Sequence, residues 1–152
     1  MGKLFLVRHG AYERLGWSRR DEYLTETGIA QVRQAAALLL SKEVTGDWQL
    51  LSSQAPRAVE SANIIGNALN VQPVVSDRVW RAGDSPSMIT GNLVDFAADA
   101  LREKGAEYDF NRPLAIVSHL PLLACAAGDP RMSIENGAVL EYDPDVWRHP
   151  AC

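Results

Sequence analysis

The feature that most narrows the fold is a pair of short apolar runs that each stop at a histidine. Leu4-Phe5-Leu6-Val7 ends at Arg8-His9-Gly10, and Leu114-Ala115-Ile116-Val117 ends at Ser118-His119. Runs of this length that are apolar at every residue, rather than at alternate ones, read as strands covered on both faces. That is the situation of a central strand in a parallel sheet. In open α/β sheets ligands gather just beyond the carboxyl ends of the strands, so side chains released there are presented from a rigid support. Both histidines are therefore expected on one rim.

The segments between these runs alternate in kind. Residues 11–23 mix charge, aromatics and glycine without period and read as a surface loop over the end of the first strand. Residues 29–40 place apolar side chains at three- and four-residue steps. Thr25 suits their N-cap, and Glu26 suits the positive end of the helix dipole. A second strand is expected over 48–53. A second helix follows, opening near Pro56, which loses nothing in a first turn because it has no N–H to leave unpaired, and closing near residue 69. Beyond it the pattern predicts a third strand over 71–75, irregular structure over 77–87, and a third helix from Pro86 and Ser87 to about residue 104, stopped by Gly105. A strand over 113–118, a short helix over 122–127, a turn at Gly128-Asp129-Pro130 and an edge strand over 138–142 complete the chain. Alternating strands and helices imply the α/β class: a single three-layer α/β/α domain over residues 1–152 with a mostly parallel central sheet and right-handed crossovers.

Composition bounds the function classes. The 152 residues are 47% hydrophobic and 22% charged, enough for a packed core. No run reaches the roughly 18 apolar residues of a membrane helix. The N-terminal apolar stretch is too short for a signal peptide, and Leu6 stands where a myristoylation motif has Ser or Thr, so a cytoplasmic protein is expected. A net charge of −4 argues against a nucleic-acid or membrane-surface partner, because such binding rests on many Lys and Arg neutralising phosphates. Cys125 and Cys152 lack zinc-ligand spacing or a disulfide framework and read as free thiols, Cys125 as a small buried hydrophobe.

A local cationic pocket is nonetheless written into the strand ends. Arg8 and His9 follow the first strand, Arg57 lies in the first turn after the second, and His119 follows the later central strand. Two arginines and two histidines converging on one rim make an anion site. Guanidinium groups supply planar, permanently charged forks for phosphoryl oxygens, and the helix start beside Arg57 adds backbone N–H groups. One histidine must be neutral, with a ring lone pair aimed at phosphorus and its other nitrogen donating to a fixed partner. The second would donate to a phosphoryl oxygen as charge builds. Arg8, Arg57 and His119 supply the positive charge in this scheme, so neither a metal nor another cofactor is expected.

Four ordered segments carry a family resemblance: Val7-Arg8-His9-Gly10; Leu24-Thr25-Glu26-Thr27-Gly28; Ser52-Ser53-Gln54-Ala55-Pro56-Arg57-Ala58-Val59-Glu60-Ser61-Ala62; and Val117-Ser118-His119-Leu120-Pro121. The chain resembles the histidine phosphatase (phosphoglycerate mutase-like) superfamily over most of its length. The Ser-His-Leu-Pro form of the second histidine motif, the Ala82-Gly83-Asp84 segment and the closing Asn136-Gly137-Ala138-Val139-Leu140 run are similar to the SixA-type phosphohistidine phosphatases. The resemblance implies the superfamily's fold and a phosphatase that works without metal. His9 would be the nucleophile and form a covalent phosphohistidine, while Arg8, Arg57 and His119 bind the phosphoryl group together with it. Gly10 would permit close backbone approach and an unusual dihedral beside the nucleophile. The implied partner is a phosphorylated substrate, with a phosphohistidine-bearing protein domain favoured. The alternatives are a small phosphorylated metabolite or a phosphate-binding regulatory module without turnover.

The general acid is the thinnest part of the match. Asp84 is the expected acid, with a loop carboxylate such as Glu13 as another group to place. Ser52 and Ser53 either donate to phosphate or merely end the strand, and Gly28 is assigned to the helix entry rather than to the ligand. Arg14, Arg19 and Arg20 read as a solvated basic cluster, His149 as a tail residue without a role at the site, and Trp17, Trp48, Trp80 and Trp147 as packing residues.

Overall fold

The computed structural model describes residues 2–17, 22–89 and 91–147; the expectations for Arg19, Arg20, His149 and Cys152 lie outside the described residues. Five strands form the central sheet: β1 (Leu4–Arg8), β4 (Gln49–Ser53), β5 (Val74–Ser76), β6 (Leu114–Ser118) and β7 (Val139–Glu141). Their spatial order is β5-β4-β6-β1-β7. All neighbours are parallel except β7, which pairs antiparallel with β1 at the edge. A two-stranded ribbon, β2 (Tyr12–Arg14) and β3 (Glu22–Leu24), occupies part of the segment expected as irregular loop. Each of these strands is only three residues long, too short for an alternation to register in the sequence.

The side-chain period of two along a strand decides the layers. Phe5 and Val7 of β1, Leu50 of β4 and Ala115 and Val117 of β6 pack on one face against α1 (Glu26–Leu40) and α2 (Pro56–Leu69). Leu4 and Leu6, Leu51, and Leu114 and Ile116 point the other way. They pack against α3 (Asp77–Asp84), α4 (Leu93–Glu103) and α5 (Leu120–Ala126). Fully burying a side chain such as Leu6 or Ile116 contributes about 1.5–3 kcal/mol. The expected three-layer α/β architecture with a mostly parallel sheet is the one observed.

Capping explains where the helices begin. Thr25 caps α1, its hydroxyl accepting from Gly28 N at 3.0 Å, and Pro56 opens α2 at its first position. The stretch expected as irregular over 77–87 instead folds as α3, capped by Ser76, which accepts from Arg78 N. Val79, Ala82 and Gly83 line its buried side at helical spacing. The continuous helix expected to run from Pro86 is broken. A 3-10 turn at Pro86–Met88 gives way to extended backbone at Ile89 and to Gly91 with φ +84°, and Asn92 caps a separate α4.

Two further expectations are corrected. Trp17 does not pack: it is 103% exposed, beside the exposed Leu15 on the segment leaving β2. Cys125, buried in α5, is disulfide-bonded rather than free. Among the described residues, no helix is long and apolar enough to cross a membrane.

Candidate active site

β1 and β6 lie side by side with Arg8 opposite Ser118, so both chains leave the sheet at the same level. His9 N continues the ladder by donating to Ser118 O at 3.2 Å, and His119 is the first residue past β6, capping α5. β4 flanks β6 on its other side and feeds α2, whose first turn carries Arg57. Arg8, His9, Arg57 and His119 thus meet at one rim, with the two imidazole centroids 5.2 Å apart.

Hydrogen bonding fixes both ring tautomers. His9 Nδ1 lies 2.9 Å from Gly10 O, and a carbonyl only accepts, so Nδ1 carries the proton. Arg57 Nε donates to His9 Nε2 at 3.2 Å, and an arginine only donates, so Nε2 holds the lone pair. The same logic assigns His119. Arg57 Nη2 donates to its Nδ1 at 3.3 Å, while its Nε2 donates to Ser53 Oγ at 2.7 Å. Ser53 also accepts from Ala55 N at 3.2 Å, which ties His119 to the entry of α2.

His9 is 4% exposed, and its pKa is pushed down to about 3. Burial is the main cause. His119, Arg57 and Arg8 add repulsion, and the hydrogen bond to Gly10 opposes the shift only in part. The imidazole is therefore neutral at any ordinary pH. Arg8 donates through an Nη1 hydrogen to Ile134 O, and its buried Nε has no hydrogen-bond partner among the described residues.

The glycines beside the histidines serve close approach. A Cβ on Gly10 would sit 2.5 Å from Gly28 O, and one on Gly28 would sit 2.0 Å from Ala11 O, so the turn after β1 and the first turn of α1 are in backbone contact. Gly28 belongs to the helix entry, as expected. The expected unusual dihedral at Gly10 is not found, because its φ lies outside the left-handed region. Gly10 N instead donates to Ser61 Oγ at 3.1 Å, which in turn donates to Arg57 O at 2.7 Å.

Asp84 is exposed at the end of α3, and no hydrogen bond or ion pair joins it to the cluster among the described residues. The preceding Gly83 abuts His119, since a Cβ there would lie 2.6 Å from His119 Cδ2. Glu13 is exposed and accepts from Tyr23 OH at 2.8 Å; its neighbours Tyr12 and Arg14 occupy the opposite face of the ribbon.

Two groups escaped the sequence reading. The Tyr12 ring stands 5.6 Å from the His9 ring and 4.8 Å from Arg57 Cζ. Glu22 accepts from Arg57 Nη1 at 3.1 and 2.9 Å and from Arg14 at 2.7 Å. A buried cluster rich in cations calls for a carboxylate, and that charge balance was the one available signal for Glu22.

Residues 4–84 match the sequence model of the histidine phosphatase superfamily, branch 1. The chain belongs to that superfamily. By that membership it is a phosphatase hydrolase, and the matched region carries Arg8, His9 and Arg57. Solved structures similar to this one include the protein histidine phosphatase SixA complexed with tungstate, at 22% identity and TM-score 0.61, covering 94% of this chain and 97% of that one. Another is the putative phosphohistidine phosphatase SixA from Agrobacterium tumefaciens, at 17% identity and TM-score 0.60, covering 92% and 90%. A third is mycobacterial glucosyl-3-phosphoglycerate phosphatase in complex with VO3, at 19% identity and TM-score 0.60, covering 93% and 90%. At these identities the likeness is one of fold. No curated protein matches the chain by sequence.

Proposed function

We propose that this superfamily member hydrolyses its substrate through a covalent phosphohistidine on His9. The observation that carries the reading is the Nε2 lone pair of a neutral, buried imidazole, fixed by Gly10 O from behind and facing Arg57 and His119 in front. When a phosphoryl group enters, its oxygens take the donors of Arg57, and Arg57 Nε releases the lone pair. Nε2 then bonds to phosphorus as the bond to the leaving group breaks, and the leaving group collects a proton. Attack by water breaks the P–N bond, frees phosphate and returns the electron pair to Nε2. Arg8 would contribute its Nε–H, which has no partner among the described residues, and His119 would line the phosphoryl site beside Arg57, whose Nη2 it accepts from.

Asp84 is the proposed acid, one residue beyond the backbone that abuts His119. It would protonate the leaving group and then take a proton from the attacking water. Its exposure favours a leaving group that needs little help, and an imidazole is easier to expel than an alkoxide. This supports phosphohistidine on a protein as the substrate, in line with the likeness to SixA. A small phosphorylated metabolite is the second reading, supported by the likeness to glucosyl-3-phosphoglycerate phosphatase.

The test is hydrolysis of an aryl phosphate with and without a chelator. The reading predicts turnover that a chelator leaves intact and His9→Ala abolishes; unchanged turnover in that variant would contradict it. Comparing a phosphohistidine-bearing protein with a panel of phosphomonoesters then separates the two substrate classes by kcat/KM.

A further inference from the structure

Arg57 sits between three partners, and the way its donors are divided points to a role for a residue outside the four-residue pocket. The Glu22 side chain is 0% exposed, yet it is charged. Burial works against its ionisation, but hydrogen bonds from Arg14 and Arg57, together with their charge, outweigh it and hold the carboxyl below its ordinary range. Both of its oxygens accept from a single nitrogen of Arg57, Nη1. The other two nitrogens face the histidines: Nε toward His9 Nε2 at 3.2 Å and Nη2 toward His119 Nδ1 at 3.3 Å. In a guanidinium the Nε–H and one Nη2–H lie along one edge, parallel, at the spacing that grips two oxygens of one phosphoryl group.

We propose that Glu22 is a positioning residue that decides which edge of Arg57 meets the phosphoryl group, by occupying Nη1 and leaving the Nε/Nη2 edge turned to the pocket. The inference rests on the phosphoryl-transfer reading of the site. The support around Glu22 is built for position. Glu60, one turn beyond Arg57 on α2, accepts from Leu24 N at 2.9 Å and fastens the end of β3 to the helix that carries Arg57. The Tyr12 ring, from the partner strand of the ribbon, lies over Arg57 Cζ at 4.8 Å. Strand and helix therefore close a ring through Arg57, Glu22, Leu24 and Glu60. A long side chain that would otherwise sample many rotamers keeps one orientation.

The test is a mutant cycle on aryl-phosphate hydrolysis, with kcat and KM measured separately. Glu22→Ala should lower kcat by about 10–100-fold, with a smaller change in KM, the scale at which misplacing a catalytic group acts. In an Arg57→Ala background the same change should cost less than about 2-fold, because there is no guanidinium left to orient. Glu22→Gln, whose amide oxygen still accepts from Nη1 at the same reach, should retain more kcat than Glu22→Asp, which keeps the charge and loses the reach. Losses at positions 22 and 57 that multiply, or a Glu22→Asp variant that outperforms Glu22→Gln, would overturn the proposal. The Gln and Asp comparison decides the matter if Glu22→Ala does not fold. Failure of the phosphoryl-transfer reading registers separately, as hydrolysis that survives His9→Ala.

Discussion

Arg57 donates its Nε–H to the Nε2 of His9 at 3.2 Å, so a single hydrogen bond joins the first turn of α2 to the end of β1. The same guanidinium reaches His119 and Glu22, and Ser61, one turn along α2, links Arg57 O to Gly10 N. In the proposed reaction this donor shields the nucleophile until phosphoryl oxygens claim it.

Removing Arg57 takes away a charged donor aimed at the place where charge develops. Arg57→Ala should lower kcat on an aryl phosphate by about 10²–10³-fold and weaken inhibition by vanadate, the scale on which single preorganised donors act. A loss below about 5-fold in both would show that the guanidinium is not at the reacting group.

His9 should not titrate near the ordinary histidine value. With its pKa pushed down to about 3, its ring proton resonances in NMR should hold steady from pH 8 to pH 5. An inflection near 6.5 would contradict the buried, neutral imidazole. The same shift has a sign for stability. The unfolded chain binds a proton on His9 below about pH 6.5 and the folded chain does not until about pH 3, so stability falls as pH drops through that window. His9→Gln should flatten that part of the stability profile measured by denaturant melts.

Asp84→Asn should slow substrates with poor leaving groups far more than those with good ones, because only the former need a proton as the bond breaks. Equal effects across a series of aryl phosphates of graded leaving-group acidity would remove Asp84 from the acid role.

The backbone contact between the turn after β1 and α1 leaves no space at Gly28, where a Cβ would lie 2.0 Å from Ala11 O. Gly28→Ala should destabilise the protein by about 1–3 kcal/mol, the usual cost of forcing atoms into a packed site. Denaturant midpoints measure this, and an unchanged midpoint would show that the α1 entry yields freely.

What the sequence made legible follows from how each element is stabilised. β1 and β6 declare themselves because burial on both faces makes residues 4–7 and 114–117 apolar without a break, and α1 because Val32, Ala35, Ala36 and Leu39 repeat at helical spacing behind a Thr25 cap. Since those strands end at His9 and His119, the positions of the histidines could be read with them. β2 and β3 are held by tertiary contacts such as Leu24 N to Glu60, which no local pattern announces. α3 was hidden by its eight residues and its glycine, although Val79, Ala82 and Gly83 carry the right spacing. For Glu22 the charge balance of the cationic pocket called for a carboxylate but did not say which one, because its role depends on Arg57, 35 residues away.

The central claim is that the phosphoryl group passes through His9, and the phosphoenzyme tests it most directly. Protein mixed with a labelled phosphoryl donor and quenched rapidly in base should carry an acid-labile, base-stable phosphate, and peptide mass spectrometry should place it on His9 and find none in His9→Ala. Label on another residue, or hydrolysis at full rate with no phosphoenzyme and an active His9→Ala variant, would contradict the account.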